Sequence, residues 1–333
     1  METLTVHPPQ PQTGVRAHHA APVLIATDGL EQSDSAILAG LVFADQPDAL
    51  RVLSVLPPMP VVSPEVPLPV SPESEAARRR DLESRVEAQV DRTLGDMDVD
   101  LELRDGDPAN VLAKAAREYN ARLIVAGLGK HRILDRLFGD ETALRLLRVA
   151  PVPVLAVSAG FTGAPTRIVV GMDFSETSIR AARMALELAG ESATIYLTHV
   201  GPRDNAATAW NGWGPSYMTE AGAALTRVQD HLRIPRGMSL QGVVRHGDPA
   251  TELLAFANSV GADLIATGSH GHGFVARMLV GSVATKIIRY STCSVLAVPA
   301  PAAMVRDGSI DPLTAESDVD GNDGLRAGLA TPS

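Results

Sequence analysis

The sequence is short of cysteine and of long apolar runs. Its 333 residues include one cysteine, Cys293, which excludes an intrachain disulfide framework and a zinc site made of four cysteines. A lone cysteine fits a reducing compartment, and because Cys293 precedes an apolar stretch we expect it to be a buried apolar residue. No apolar run approaches the ~18 residues that span a bilayer, and the first residues do not resemble a secretory signal. We therefore expect a cytoplasmic protein without a membrane partner.

Basic and aromatic residues are also in the minority. The chain carries 29 Lys and Arg against 39 Asp and Glu, a formal net charge of −10, so it offers no general attraction to nucleic acid. A nucleic-acid partner is therefore not expected. With 45% hydrophobic, 20% charged and 4% aromatic residues, the composition is that of a globular protein built on Ala, Val and Leu, which excludes bulk disorder.

What the sequence does contain is an internal duplication. Residues 23–28 (VLIATD) match residues 168–173 (IVVGMD), and residues 104–109 (RDGDPA) match residues 245–250 (RHGDPA). Matching segments lie 141 to 145 residues apart, so each copy is a complete unit rather than a short solenoid repeat. The sequence therefore predicts two similar domains in tandem.

The duplication also sets the domain boundaries. We place the first domain at residues 21–158 and the second at residues 166–300. Outside these domains, residues 1–20 and 303–333 are rich in Pro, Gly, Asp, Ser and Thr without periodicity. We expect both to be flexible tails.

Each copy is predicted to alternate strands and helices. In the second copy, an apolar strand at residues 168–171 precedes a helix at residues 175–189, with Ser175 as its N-cap. The Asp-Pro pairs at residues 107–108 and 248–249 are helix-start signals, because the carboxylate caps free amides and proline loses no useful donor there. The other predicted elements of this copy are strands at 194–199, 240–245, 263–267 and 294–298 and helices at 218–232, from 249 and from about 282. This alternation predicts an α/β fold, with a five-stranded parallel sheet and helices on both faces in each domain.

The second copy contains a glycine motif with the properties of an anion site. Residues 268–271 (GSHG) are followed after nine residues by Gly281-Ser282. Glycines allow close backbone approach, and a helix that begins at Ser282 would present free amides and its positive dipole end to a phosphate. The spacing is neither that of a Walker A loop nor that of the dinucleotide fingerprint. P-loop NTPases and Rossmann dehydrogenases are therefore disfavoured.

Three features together resemble the universal stress protein family in its tandem-domain form: the Asp after the first strand, the Gly-Asp-Pro segment after the third, and the glycine motif before the last helix. The resemblance covers residues 21–158 and 166–300. It implies two Rossmann-like domains of the adenine nucleotide alpha hydrolase type and a bound adenine nucleotide, ATP with or without Mg²⁺. It also implies dimerisation through the last strand, either as a homo-oligomer or as an intramolecular pseudo-dimer.

By position, the resemblance also implies the binding residues of the second domain. The expected base contacts are Gly171, Asp173 and Val200. The expected ribose and phosphate contacts are Thr267, Gly268, Gly271, Gly281, Ser282, Val283 and Ala284.

The first copy departs from this motif. Lys130 stands where the second glycine is expected, the following gap is eight residues, and Gly139 is followed by Asp140 instead of Ser or Thr. A carboxylate at the start of a phosphate-binding helix repels phosphate, and Lys130 brings a Cβ into a position suited to glycine. We therefore expect the first domain to be a structural partner without a nucleotide.

Some of these residues also have purely structural interpretations. Asp28 and Asp173 are suited to bonding backbone amides in a strand-to-helix turn. Arg277 and Lys286 suit either phosphate contact or a solvated surface. Both interpretations stay open at this point.

The segment after the second strand of the second copy is rich in aromatic residues. Trp210, Trp213 and Tyr217 suit either covering a base or packing the loop. His270 and His272 lack the Cys or acidic partners that a metal site needs, so no metal site is expected.

Three functions remain open. The sequence favours a nucleotide-responsive binding module over an enzyme, because the phosphate loop lacks a recognisable base or metal-holding carboxylate. The alternatives are a slow ATPase or phosphotransferase and a structural dimer without ligand. A nucleotide retained by the purified protein would exclude the last of these.

Overall fold

The computed structural model describes residues 21–59, 72–128, 140–202, 214–269 and 281–300. Both predicted tails lie outside the described residues. So do eight residues discussed above: Lys130, Gly139, Trp210, Trp213, His270, Gly271, His272 and Arg277.

The first half is a five-stranded parallel sheet with the strand order β3-β2-β1-β4-β5. Its strands are β1 Val23–Thr27, β2 Leu50–Leu56, β3 Asp100–Asp105, β4 Leu123–Gly127 and β5 Val154–Val157. Its helices are α1 Asp34–Phe43, α2 Pro72–Leu94, α3 Pro108–Glu118 and α4 Asp140–Val149.

The second half repeats this order as β8-β7-β6-β9-β10. Its strands are β6 Arg167–Met172, β7 Thr194–Gly201, β8 Ser239–His246, β9 Leu264–Gly268 and β10 Ser294–Val298. Its helices are α5 Glu176–Leu188, α6 Gly214–His231, α7 Pro249–Val260 and α8 Ser282–Tyr290. The predicted α/β fold with parallel sheets is confirmed, and the largest shift is at α6, which begins four residues before the predicted position.

The two halves form one continuous sheet of ten strands. β5 pairs antiparallel with β10, and Leu155 lies opposite Leu296, its counterpart in the duplication. A pseudo-two-fold axis therefore passes between these two leucines. The expected pairing through the last strand of each domain is therefore present as an intramolecular pseudo-dimer. β5 and β10 cover each other's backbone groups, so the outer edges of the described sheet are β3 and β8.

The sheet is covered on both faces by helices from both halves. The α1 face carries α1, α2, α5 and α6, and the α3 face carries α3, α4, α7 and α8. Each face has one apolar core that spans the two halves. In the described part of the chain, no helix has both the length and the apolar character that crossing a membrane requires.

The predicted helix caps are present. Asp107 accepts from the Asn110 amide at 3.2 Å, and Asp248 accepts from the Thr251 amide at 3.0 Å. The Ser175 hydroxyl accepts the Ser178 amide at 3.2 Å at the start of α5. Cys293 is buried as predicted, and burial raises the pKa of its thiol.

Candidate functional site

The candidate site lies where the strand order of the second half reverses. β6 has β7 on one side and β9 on the other. The chain leaves the carboxyl end of β6 for α5 on the α1 face, and it leaves β9 for α8 on the α3 face. Open α/β sheets bind ligands in the crevice that such a divergence creates.

Asp173 sits in the turn directly after β6. Its Oδ1 accepts the Ser175 amide at 3.0 Å and the Ser175 hydroxyl at 2.5 Å, and its side chain is partly exposed. Between them, Phe174 has a left-handed φ of +63°. Asp173 therefore has the turn-forming role that the sequence left open, with its carboxyl group at the rim of the crevice.

Gly268 ends β9 and lies against the first turn of α5. A Cβ at this position would stand 2.6 Å from Thr177 Oγ1 and 2.9 Å from Thr177 Cβ, distances at which atoms overlap. Only glycine therefore allows β9 and α5 to approach this closely. The preceding Thr267 is buried, and its hydroxyl donates to the Gly268 carbonyl at 3.1 Å.

Backbone hydrogen bonds bring the two described ends of the glycine motif together. The Ser269 amide donates to the Val298 carbonyl, and the Gly281 amide donates to the Ser269 carbonyl, both at 2.8 Å. A Cβ at Gly281 would lie 3.3 Å from that carbonyl oxygen, closer than almost all real contacts. The end of β9 and the start of α8 are thus joined at one point.

Helix α8 begins at this junction without a side-chain cap. Its N-cap is Gly281, no side chain caps it, and Ser282 at the first helical position is exposed. Val283 is half-buried and Ala284 is buried. The first-turn amides and the positive end of the helix dipole therefore suit an anion at this end of α8.

The expected base contacts Gly171 and Val200 lie on the α3 face of the sheet. A Cβ at Gly171 would meet Leu253 of α7 at 3.0 Å, and Val200 packs against the apolar core of this face. The structure thus places nine of the ten predicted site residues at the ends of β6, β7 and β9 and the start of α8, and Gly271 lies outside the described residues. Their contact with a nucleotide remains a prediction.

Lys286 has a role that the sequence did not suggest. Its Nζ lies 3.2 Å from the carboxylate of Asp248, the N-cap of α7. This interaction and the two bonds from Thr251 lower the pKa of Asp248 to about 2, the Thr251 bonds being the larger cause. Arg145 and Asp107 form the equivalent pair at 2.7 Å in the first half. In both halves the ion pair therefore joins two neighbouring helices.

A buried histidine that was not predicted from the sequence lies beside the site. His199 Nδ1 lies 2.7 Å from the Met172 carbonyl, which can only accept, so Nδ1 carries the proton. Nε2 then accepts from the Tyr217 hydroxyl at 2.7 Å, and the Phe174 ring lies 4.8 Å from the imidazole. Burial lowers the pKa of His199. Tyr217 thus packs on the end of β7, and its contact with a base stays a prediction. The sequence signal for His199 was a histidine inside an apolar strand.

The first half arranges the corresponding turn differently. Asp28 is 2% exposed, and its Oδ1 accepts the Leu30 amide at 3.1 Å and the Ser33 hydroxyl at 2.7 Å. Gln89 of α2 is fully buried and donates to the Leu30 carbonyl and to Asp34, each at 2.7 Å. Helix α2 thus covers the turn that is partly exposed in the second half.

Comparisons with known proteins agree with the duplication. The universal stress protein family model matches residues 20–158 and again residues 165–299. A universal stress protein of Methanocaldococcus jannaschii is 32% identical over 141 residues, 40% of this chain and 82% of that protein. One of Mycolicibacterium smegmatis is 24% identical over 292 residues, 83% of this chain and 96% of that protein. The crystal structure of a universal stress protein from Archaeoglobus fulgidus covers 85% of this chain and 97% of its own, with 18% identity and a TM-score of 0.54, so it shows the same fold.

Proposed function

We propose that this chain, which belongs to the universal stress protein family, binds one adenine nucleotide in its second half and acts as a regulatory module rather than as an enzyme. The proposed ligand is ATP, with or without Mg²⁺. Binding at the carboxyl ends of β6 and β9 would alter conformation or association.

The observation that carries this proposal is the junction between β9 and α8. The bond from the Gly281 amide to the Ser269 carbonyl places the free amides of α8 beside the end of β9. A Cβ at Gly268 would overlap the Thr177 side chain, and a Cβ at Gly281 would lie 3.3 Å from the Ser269 carbonyl oxygen. This geometry suits a phosphate chain held by amides and by the Ser282 hydroxyl, with the base toward Asp173.

The charges around the site favour binding over turnover. Phosphoryl-transfer enzymes place a metal-holding carboxylate and a free cation beside the phosphates. Among the described residues, Lys286 and Asp248 lie near the start of α8, and they are paired with each other. We therefore propose that hydrolysis stays far below the ~10 per second of dedicated enzymes.

The proposal excludes the first half for two reasons. Its glycine motif has Lys130 and Asp140 in place of Gly and Ser. Its Asp28 is buried beneath α2, so a base could reach this carboxyl group only if α2 moved.

The test is the mass spectrum of small molecules released when the purified chain is denatured. An adenine nucleotide is expected, and Gly281→Asp should abolish its retention because the change adds bulk and negative charge at the start of α8. The control is Gly160→Asp, because a Cβ at Gly160 meets nothing within 4 Å. If ATP neither co-purifies nor binds on addition, the proposal is wrong.

A further inference from the structure

We propose that Ser175 and Thr177 are positioning residues for the nucleotide, joining its base contact to its phosphate loop through a chain of hydroxyl groups. This inference rests on the proposed function. It concerns Ser175, the N-cap of α5, and Thr177 in the first turn of α5, neither of which is among the expected nucleotide contacts.

The direction of each hydrogen bond in this chain follows from proton counting. The Ser175 hydroxyl has one proton, and it donates that proton to Asp173 Oδ1 at 2.5 Å. The Ser175 and Thr177 hydroxyl oxygens lie 2.9 Å apart, and since the Ser175 proton is already used, a hydrogen bond at this contact takes its proton from Thr177. Ser175 Oγ also accepts the Ser178 amide at 3.2 Å, so its position is fixed on three sides.

The chain ends at the backbone of the phosphate loop. Thr177 Oγ1 occupies the space in which a Cβ of Gly268 would stand. Asp173, Ser175, Thr177 and Gly268 thus form a continuous line of contacts across the crevice. Because the chain fixes the Asp173 carboxylate before any ligand arrives, binding loses less side-chain freedom.

The first half shows the same turn without this chain. Gly29 and Phe174 both have left-handed φ angles, +76° and +63°, so the two turns have similar backbones. Leu30 and Gln32 replace Ser175 and Thr177. Asp28 takes its hydroxyl bond from Ser33 instead and is buried.

Ser33 has a counterpart in the second half, Ser178, but Ser178 does not take over its role. The Ser178 hydroxyl donates its proton to the Ser175 carbonyl at 2.9 Å. The two aspartates thus take their hydroxyl bonds from different positions of the turn, and α2 buries the one in the first half.

The experiment measures ATP affinity by calorimetry for the full chain and its variants. Ser175→Gly removes the hydroxyl but keeps a favourable N-cap residue, and Thr177→Val removes the donor but keeps the shape. Ser175→Gly should weaken ATP binding about tenfold, the scale of losing one hydrogen bond to a charged group, and Thr177→Val about threefold, because its contact with Ser175 joins neutral groups. Ser175→Thr should restore the affinity, and Ser33→Ala, which removes the matching bond in the first half, should leave it unchanged.

A second probe separates positioning from general damage to the site. Inorganic tripolyphosphate lacks a base, so its competition at the α8 end should be unaffected by Ser175→Gly. Equal ATP affinity in wild type, Ser175→Gly and Thr177→Val would overturn the inference while leaving the proposed function intact, as would equal losses for ATP and tripolyphosphate. A wild-type chain that binds no ATP would overturn both.

Discussion

The first and second halves share their arrangement of strands and helices but differ at the carboxyl ends of their strands. Both have the same strand order, Asp-Pro helix starts and a basic residue paired with the capping Asp. At the ends of β1 and β6, however, Asp28 is buried beneath α2 and Asp173 lies at the rim. The residues that form the strands and helices are thus separate from those that form the site. The site residues differ between the two halves, whereas the fold does not.

The turn after the first strand shows how the same backbone serves different surroundings. In the first half, a Cβ at Gly29 would stand 2.9 Å from Arg85 Cβ, so α2 packs directly on the turn. In the second half, Phe174 adopts a similar left-handed conformation, which costs an L-residue about 1–2 kcal/mol. Its ring contacts that of His199 at a tilt of 34°, and the counterpart of His199 in the first half is Ser54.

The largest effect is expected where the two halves meet. Leu155 and Leu296 are buried opposite each other, so replacing either by Ala should lower the free energy of unfolding by about 2–5 kcal/mol. The pseudo-two-fold axis predicts similar costs for the two changes, measured by urea denaturation. Leu38→Ala, at a side chain 40% exposed, is the control. If Leu155→Ala lowers the free energy of unfolding no more than Leu38→Ala does, the predicted equivalence of the two leucines is wrong.

A smaller effect should distinguish the two glycines that end β4 and β9. Gly268→Ala forces a Cβ to within 2.6 Å of Thr177 Oγ1 and should cost about 1–3 kcal/mol of unfolding free energy. At Gly127 the nearest atoms would lie 3.4 Å away, so Gly127→Ala should be neutral or slightly stabilising. Denaturant unfolding of both variants checks this, and equal costs would show that the close approach is not special to the second half.

The helix caps should be equivalent in the two halves. Asp107→Ala and Asp248→Ala should each cost about 1 kcal/mol at pH 7, measured by chemical denaturation. Because the pKa of Asp248 is lowered to about 2 from an unfolded value near 3.9, its contribution is complete above about pH 4. It is lost as the pH falls toward 2. A cost for Asp248→Ala that grows on acidification would contradict this assignment.

The smallest expected effect is an acid sensitivity confined to the second half. Burial lowers the pKa of His199, so the folded state favours the neutral ring, and stability should fall as the pH drops below the unfolded value near 6.5. Asp173 opposes this shift and His246 adds to it. His199→Gln should remove a loss of under about 1 kcal/mol between pH 7.5 and 6, measured by denaturation at each pH. His231→Gln, at an exposed histidine, is the control and should leave the loss in place.

The sequence predicted most of the strands and helices because the signals for them are local. Ser175 and the Asp-Pro pairs mark helix starts through bonds within one turn, and apolar strands of four to eight residues have few other uses in an α/β chain. The start of α6 was placed four residues late, because Gly214 and Pro215 are poor helix signals.

The site was less predictable because its contacts join distant segments. The pairing of Lys286 with Asp248 and the ring contact between Phe174 and His199 depend on how segments distant in sequence pack together. Ser175 was identified as a cap, but its bond to Asp173 also depends on the rotamers of both residues. The one sequence signal for these bonds was the spacing of two hydroxyl residues: Ser175 and Thr177 follow Asp173 by two and four residues.

The number of ATP molecules bound per chain tests the difference between the halves most directly. Calorimetry should give one site per chain, weakened at least tenfold by Asp173→Asn and unchanged by Asp28→Asn. Two equal sites, or a single site that Asp28→Asn removes and Asp173→Asn leaves intact, would contradict this account.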